Sequence, residues 1–312
     1  MNTRILFMGT PEIAATVLRA LLDAECNVIG AVTGQDKPRG RGHQLAPTAV
    51  KALAEERGVP VYTPRTLRDD AFLALLDELS PDLVVVVAYG KILPKSVLDY
   101  PRLGCINLHV SLLPKYRGAA PMQRAVMAGE RETGVTVMHM AEGLDTGDII
   151  LQESFPIHDD SDFEYVHDTS AVLGARLLLR AIPMLEGGSA PRIPQDDALA
   201  TYAAKIEREE AHITFDAPAT AVSAKVRGLT PIPMAYVRHN GRLLKLYRPT
   251  VVAGKGRVAE VIDLSDKGDG AITVACLEGA VAFSGVIPEG KGKMSAADYI
   301  RGRKIQIGDV FE

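Results

Sequence analysis

The sequence has no tryptophan and few cysteines. Its 312 residues include only Cys26, Cys105 and Cys276. They are far apart, odd in number and outside any CxxC pattern, which argues against a disulfide scaffold or a zinc cluster and is typical of a reducing compartment. The histidines show no HExxH or other ligand spacing, so we expect no metal ion.

Long apolar runs and a dominant charge are also missing. No stretch approaches the roughly 20 apolar residues that cross a bilayer, and the N-terminal MNTRILFMGT is not built like a signal peptide. The net charge is −4 and the pI about 6.0, which alone gives no reason to expect nucleic acid. Residues 207–312 carry 15 Lys+Arg against 13 Asp+Glu, a balance that permits a polyanionic partner. We therefore expect a cytoplasmic protein that does not bind membranes.

Short apolar runs alternate with helix-period segments in residues 1–189, the first predicted domain. Residues 4–8, 27–33, 59–62, 83–88 and 149–156 predict strands, and 11–24, 47–57, 75–79 and 162–185 predict helices. Thr10 is expected to cap the first helix, with Pro11 at its first position. This alternation predicts an α/β fold with a doubly wound, mostly parallel, Rossmann-like sheet. No GxGxxG follows the first strand, so we interpret Gly9 as a plain turn.

The remaining sequence changes character. A passage rich in chain-breaking residues begins with Gly187-Gly188-Ser189-Ala190-Pro191 and runs to about Glu207, and within it residues 190–206 predict a linker. Residues 207–312 predict a small antiparallel OB-like β-barrel with a terminal helix at 294–303 capped by Ser295. Turns are expected at His239-Asn240-Gly241 and Asp269-Gly270. The predicted strands are 212–215, 234–237, 242–252, 257–264, 271–277 and 280–287.

Three polar residues lie at or just beyond the ends of predicted strands, where ligands bind in open α/β sheets. His109 is a natural proton acceptor, Asp145 could orient it, and Asn107 offers an amide donor for a developing oxyanion. One acid, one base and one neutral donor suit acyl transfer to an incoming nucleophile. The bland alternative is a hydrogen-bonded structural histidine beside an ordinary Asp-Gly turn, which Asp148 would brace.

Two other side chains could act as nucleophiles. Ser111 lies in SLLP and not in GxSxG, so transfer directly between two substrates fits better than an acyl-enzyme. Cys105 shares a strand face with Asn107, but a buried strand cysteine is the simpler interpretation.

A basic loop spans residues 34–44. It holds Lys37, Arg39, Arg41 and His43 with three glycines and one proline. One interpretation is a solvated, flexible loop. The other is a mobile clamp for a phosphate-bearing substrate.

The segment CINLHVSLLPKYRGAAPMQRAVMAG, with GVTVMHMAEGLDTGD downstream, resembles the methionyl-tRNA formyltransferase family, a branch of the 10-formyltetrahydrofolate-dependent formyltransferases. The resemblance extends over the chain, from ILFMGTPEIAA through VVVAYGKILPK and RGLTPIPMAY to GKGKMSAADYIRGRK. It implies formyl transfer to the α-amino group of methionyl initiator tRNA by Asn107, His109 and Asp145. It also implies a monomer with no stable protein partner, whose C-terminal barrel binds tRNA.

The resemblance further implies binding residues. For 10-formyltetrahydrofolate they are Ser111, Leu112, Leu113, Pro114, Ala88, Tyr89, Lys91, Leu93, Glu142, Gly143 and Leu144. For tRNA, mainly through phosphates, they are Lys37, Arg39, Arg41, Lys245, Arg248, Lys291, Lys293, Arg301, Arg303 and Lys304. The alternatives are a sugar-nucleotide N-formyltransferase, which would not need the basic loop, and a folate- or RNA-binding protein without catalysis.

Overall fold

The computed structural model describes residues 2–39, 44–302 and 304–312. The chain forms two compact units, each assembled from several segments. Unit 1 comprises Met1–Gly118, Gly134–Phe155 and His167–Tyr202, and unit 2 comprises Ala119–Thr133, Pro156–Val166 and Ala203–Glu312. The predicted boundaries at residues 189 and 207 stay predictions.

Eleven strands are described up to residue 203. They are β1 Ile5–Gly9, β2 Val28–Val32, β3 Lys37–Arg39, β4 Gln44–Ala46, β5 Val61–Tyr62, β6 Leu83–Val87, β7 Cys105–His109, β8 Arg117–Gly118, β9 Glu132–His139, β10 Ile149–Pro156 and β11 Tyr202–Ala203. Seven of them form one sheet in the order β10-β9-β7-β6-β1-β2-β5. Pairing from β7 through to β5 is parallel, and β9 runs antiparallel to β7. The predicted mostly parallel, Rossmann-like sheet is confirmed.

The helices follow from apolar residues at helical spacing. Up to residue 203 they are α1 Glu12–Asp23, α2 Ala49–Glu56, α3 Asp70–Leu79, α4 Lys95–Leu98, α5 Pro121–Met127 and α6 Phe163–Glu186. In α1, Ile13, Val17, Leu18 and Leu21 are buried. Strands β1 and β6 are buried along their whole lengths, as expected of parallel strands covered on both faces.

The predicted capping of α1 by Thr10 is wrong. Pro11 is the N-cap residue and makes no side-chain cap hydrogen bond. The Thr10 hydroxyl instead accepts from the N–H of Gly34 at 3.3 Å and donates to the carbonyl oxygen of Tyr89 at 3.4 Å. It therefore joins the segments that follow β1, β2 and β6.

The basic loop is not irregular throughout. Strands β3 and β4 pair antiparallel, with Lys37 opposite Ala46. This pairing satisfies backbone groups that a loop would leave to water. Arg41 and His43 lie outside the described residues, and the side chains of Lys37 and Arg39 are not described either.

Unit 2 contains an antiparallel sheet. Besides α5, its helices and strands after residue 203 are α7 Ala219–Leu229, β12 Tyr236–His239, β13 Arg242–Val252, β14 Val261–Ser265, β15 Ala271–Ala275, β16 Ala280–Pro288, β17 Met294–Ser295 and α8 Ala296–Arg301. The strand order is β12-β13-β16-β15-β14, and β17 also pairs with β16. The β12–β13 turn is confirmed, since Asn240 and Gly241 both adopt positive φ (51° and 73°), as a two-residue hairpin turn of this type requires. Ser295 caps α8 as predicted, accepting from the N–H of Asp298.

Two expectations for this unit are corrected. Within residues 203–302 and 304–312 the named strands do not close into a barrel. The two end strands, β12 and β14, are each hydrogen-bonded to the C-terminal segment 308–312 through Arg238 and Val261. Helix α7 is absent from the prediction. It adds Val222, Val226 and Leu229 to the same core as the sheet. The apolar face of the sheet is therefore covered by a helix and does not need barrel closure to be buried. Residues 212–215 form no strand and contribute one bridge, from His212 to Tyr236. Among the described helices of the chain, none is long and apolar enough to span a membrane.

Candidate active site

The polar residues predicted from the sequence stand at the carboxyl end of β7. Asn107 pairs with Val86 of β6 and Met138 of β9, and His109 is the last residue of the strand. Being two residues apart, Asn107 and His109 project from the same face of β7. His109 is 5% exposed, whereas Asn107 is half-buried. The sheet therefore holds one imidazole and one amide on the same face near the carboxyl end of β7, where ligands bind in open α/β sheets.

Asp145 joins them from a distant turn. Its Oδ2 lies 3.6 Å from Nδ1 of His109. The other ring nitrogen, Nε2, is 2.9 Å from the carbonyl oxygen of Tyr116. Because a carbonyl oxygen only accepts, Nε2 must carry a hydrogen, and Nδ1 is the nitrogen that gains or loses a proton. The proton-accepting side of His109 thus faces the carboxylate.

The Asp145 turn is locally constrained. Asp145 has a positive φ of 53°, which Asp tolerates better than most residues. Its Oδ2 accepts a 2.8 Å hydrogen bond from the N–H of Gly118. Gly147 cannot be replaced without rearrangement, because an added Cβ would lie 1.7 Å from the carbonyl oxygen of His139. In LDTGD, Asp145 therefore accommodates a left-handed backbone conformation, and Gly147 allows the chain to pass close to the backbone of His139.

Gln195 also holds this turn, and sequence reasoning missed it. Its Nε2 donates to the carbonyl oxygens of Asp145 and Gly147, both at 2.8 Å. Its Oε1 accepts from the buried guanidinium of Arg117. Gln195 lies in the segment that we interpreted as a linker, and a single glutamine carries no motif that could have revealed it.

The segment Ser111–Pro114 is fixed by a hydroxyl beneath it. Thr136 Oγ1 donates to the carbonyl oxygen of Ser111 at 2.7 Å and accepts from the N–H of Leu113 at 3.2 Å and from Gln152 at 2.9 Å. Ser111 is fully buried, and its hydroxyl donates to the carbonyl oxygen of Lys115. That hydroxyl is engaged in structure and is not poised as a nucleophile.

Comparison with known proteins identifies the family. Residues 1–182 match the model described as Formyl transferase, and residues 205–304 match that of the Formyl transferase C-terminal domain. The methionyl-tRNA formyltransferase of Syntrophus aciditrophicus (strain SB) is 44% identical over 309 residues, covering 98% of each chain. The chain belongs to the methionyl-tRNA formyltransferase family. The family member from Stutzerimonas stutzeri (strain A1501) is 45% identical over 97% of this chain and 96% of its own.

Solved structures share the fold at low identity. HypX from Aquifex aeolicus, in complex with tetrahydrofolic acid, has a TM-score of 0.65 at 19% identity. The match covers 98% of this chain and 48% of HypX, so the chain spans about half the length of that protein. A methionyl-tRNA formyltransferase from Clostridium thermocellum has a TM-score of 0.55 at 16% identity, covering 82% of this chain and 96% of that one.

Cys105 of β7, which the sequence offered beside Ser111 as a possible nucleophile, is buried. Burial raises the pKa of its thiol to about 12. Its Sγ lies 3.5 Å from the carbonyl oxygen of Val97. The group therefore remains a protonated thiol, which is a poor nucleophile.

The residues that the resemblance implies for folate binding differ in exposure. Ala88 is exposed and has a positive φ of 45°, whereas the side chains of Tyr89 and Leu93 are in the core. Lys91 Nζ donates to the carbonyl oxygens of residues 64 and 65 at 2.8 and 3.0 Å. Glu142, Gly143 and Leu144 are exposed. Lys95 of α4, the helix that follows residues 88–93, forms a 3.9 Å ion pair with Glu142.

The basic residues of unit 2 are on or beside its sheet. Arg248 and Lys293 both lie over the ring of Tyr247, 5.9 and 5.6 Å from its centroid. Lys245 is two residues from Tyr247 on β13, and Arg301 is paired with Asp298. Lys291 and Lys304 line a cavity of about 460 Å³ together with Arg242. Arg303 is outside the described residues.

No metal centre is evident in the part of the chain that the structure describes. Within it, no three His, Cys, Asp or Glu side chains are grouped as metal ligands would be. His139 is buried, and burial together with Arg192 lowers its pKa. Its Nε2 lies 3.3 Å from the carbonyl oxygen of Pro191, as expected of a structural histidine.

Proposed function

We propose that this chain transfers the formyl group of 10-formyltetrahydrofolate to the α-amino group of methionine esterified to initiator tRNA. The observation that carries the proposal is the approach of His109 Nδ1 to Asp145 Oδ2, with Asn107 two residues before His109 on the same face of β7. A base, a carboxylate and a neutral donor at one strand end suit the attack of an amine on a formyl carbon. An α-amino group has a pKa of about 8, so a useful fraction is already neutral near pH 7.

Asn107 is proposed to stabilise the negative charge that develops on the formyl oxygen. The bond from the amine nitrogen to the formyl carbon forms as the carbon's bond to N10 of the folate breaks. A neutral amide can donate to an oxyanion without first losing or gaining a proton. Removal of one such donor typically lowers the rate by about 100- to 1,000-fold.

His109 and Asp145 are proposed to move the proton. The attacking amine must lose a proton and N10 must gain one, so the reaction as a whole is balanced in protons. His109 can take that proton on Nδ1, because Nε2 is committed to the carbonyl oxygen of Tyr116. Asp145 lies on the same side of the ring and stabilises the resulting imidazolium.

The folate is proposed to bind against the segments 88–93, 111–114 and 142–145. Bound there, it supplies the activated formyl group. Ile92 and Leu144 are large apolar side chains, 73% and 58% exposed, of a kind that pockets present to a flat heteroaromatic ring. The Thr136 hydrogen bonds keep the segment 111–114 in one conformation, which reduces the ordering cost of binding.

The tRNA is proposed to bind the basic residues of the 34–44 loop and of unit 2. Around Tyr247, the cations Lys245, Arg248 and Lys293 offer phosphate contacts beside an aromatic ring. Such contacts release counterions, so tRNA affinity should fall steeply as salt rises. We also propose that the protein acts as a monomer in the cytoplasm. The absence of a disulfide among its three buried cysteines supports the cytoplasm.

The test is formyl transfer from 10-formyltetrahydrofolate to three acceptors. These are methionyl initiator tRNA, methionyl elongator tRNA and an amino-sugar nucleotide. We expect rapid transfer to the initiator alone, and transfer to the sugar instead would contradict the proposed acceptor. His109→Gln is the matched variant, because its amide can still donate toward Tyr116 but cannot carry the proton. It should keep folate and tRNA affinity and lose turnover.

A further inference from the structure

The side-chain amide of Gln195 uses its full hydrogen-bonding capacity. Its oxygen accepts from Nε and Nη2 of Arg117, at 3.0 and 2.8 Å. Its nitrogen donates both hydrogens, to the carbonyl oxygens of Asp145 and Gly147. A guanidinium only donates and a carbonyl oxygen only accepts, so the amide has a single possible orientation.

Arg117 makes this arrangement stiff. It is 2% exposed, and its Nη2 also donates to Oδ1 of Asp197 at 2.8 Å. Asp197 has an 84% exposed side chain, so its ion pair is screened by water. The two part-buried bonds to Gln195, which are less exposed to water, are therefore the stronger restraint on the guanidinium.

These bonds form a closed ring that returns to Asp145. Gly118 follows Arg117 directly and donates its N–H to the Asp145 carboxylate. The side chain of Arg117 reaches Gln195, which holds the backbone carbonyl of the same aspartate. The dipeptide Arg117-Gly118 thus restrains Asp145 twice, at its carboxylate through Gly118 and at its backbone carbonyl through Arg117 and Gln195. Its positive φ (53°) is the conformation that the ring maintains.

We infer that Gln195, held by Arg117, is a positioning residue that aims the Asp145 carboxylate at His109. This inference rests on the proposed function, in which Asp145 and His109 carry the proton. Gln195 touches neither substrate in this role and acts through the backbone of the Asp145 turn. A misplacement of about 1 Å can lower a rate about 100-fold, so the positioning has a measurable effect.

The sharpest variant is Gln195→Glu. Glutamate has the same shape and keeps the pairing with Arg117, but it cannot donate to the two carbonyl oxygens. We expect kcat to fall about 10- to 100-fold, with the KM for folate and the KM for tRNA each changed by less than about threefold. Asn27→Asp is the matched control. It makes the same amide-to-carboxylate change at an exposed residue just before β2, at the opposite end of the sheet, and should leave kcat unchanged.

A double-mutant cycle with Asp145→Asn separates positioning from general damage. If Gln195 acts through the carboxylate, Gln195→Glu will lower kcat by less than about twofold in the Asp145→Asn background. The same fold-loss in both backgrounds would overturn the inference, as would an unchanged kcat in the single variant. If Gln195→Glu does not fold, judged by circular dichroism, Arg117→Lys enters the same cycle, since a lysine cannot make the forked contact. Failure of the wild type to formylate would overturn the proposed function and this inference together.

Discussion

The N–H of Gly118 donates to Oδ2 of Asp145, the same oxygen that lies 3.6 Å from Nδ1 of His109. Asn at position 145 could still accept from Gly118, but it could not balance a charged imidazole. We predict that Asp145→Asn lowers the single-turnover rate about 100- to 10,000-fold while the fold is retained. Rapid-quench formylation measures this rate. A loss of less than tenfold would show that the carboxylate does not take part in proton transfer.

Gly285 lies against the ring of Tyr247, where an added Cβ would come within 2.3 Å of the ring. Gly285→Ala must therefore move the ring that Arg248 and Lys293 flank. We predict that the Kd for initiator tRNA rises about 5- to 20-fold and that its salt dependence becomes less steep, as expected when roughly one contact is lost. Filter binding over a range of salt concentrations measures both.

Gly187→Ala is the control for this change. Its Cβ would lie no closer than 3.4 Å to other atoms, and the residue is at the end of α6. It should leave tRNA binding unchanged. Unchanged binding in Gly285→Ala as well would remove Tyr247 and its two cations from the proposed tRNA surface.

Thr136 is the buried support of the segment 111–114. Thr136→Val keeps the shape but leaves the N–H of Leu113 and the carbonyl oxygen of Ser111 without this partner. We predict a loss of about 2–5 kcal/mol in the free energy of unfolding, from polar groups left unpaired in the core. Because the chain has no tryptophan, urea unfolding would be followed by circular dichroism.

Thr63→Val is the control for this prediction, since Thr63 is exposed in the same unit. Its effect on the free energy of unfolding should be within about 0.5 kcal/mol. An equally small effect at Thr136 would mean that the segment is held by other contacts. A larger loss of folate affinity than of stability would point to a direct role for the hydroxyl in binding.

Much of unit 1 could be predicted because several of its strands are short apolar runs. The 83–88 run is apolar throughout and has few other interpretations, and β6 appears there. Strand β10 also appears where expected, although Gln152, Glu153 and Ser154 interrupt its apolar run. Capping was harder to predict, since Thr10 had a tertiary partner, the Tyr89 carbonyl, that outweighed a local cap. Helix α7 was missed because its small residues, such as Ala219 and Ala224, have no strong helical period, and packing decides its conformation.

Burial raises the pKa of each cysteine, to about 12 for Cys105 and about 11 for Cys276, and upward for Cys26. Thiol reactivity requires the thiolate, so we predict that DTNB at pH 8 labels no cysteine in the folded protein and three after unfolding. Labelling of the folded protein within minutes would contradict the burial of the thiols.

The same shifts determine a pH dependence of stability. Each folded-state pKa lies above the unfolded value of about 8.5. The unfolded chain therefore releases thiol protons first, and the contribution to stability is complete below about pH 8.5 and is lost as the pH rises toward 11–12. Cys276→Ala should make the fall of the urea midpoint between pH 8.5 and 10.5 shallower.

Some residues of the candidate site could be predicted from the sequence, and others could not. Asn107 and His109 could be predicted together because alternation along one strand puts them on one face. Asp145 needed its position in the turn, which spacing suggested but could not establish. Gln195 is 50 residues from Asp145. Its role depends on the orientation of one amide between a guanidinium and two carbonyls, which no sequence pattern encodes.

The discontinuity of the two units has a consequence for synthesis on the ribosome. Helix α5 belongs to unit 2, where it packs closely against α7. The two helices are so close that a Cβ added to Gly228 of α7 would lie 2.4 Å from the Met127 side chain of α5. About 90 residues must therefore emerge after α5 before its packing partner exists. Unit 1 in turn is incomplete until Gln195 and the segment up to Tyr202 have been made. A nascent chain halted near residue 189 would thus hold neither a finished unit 1 nor a covered α5, and it would be exposed to chaperones and proteases during that interval.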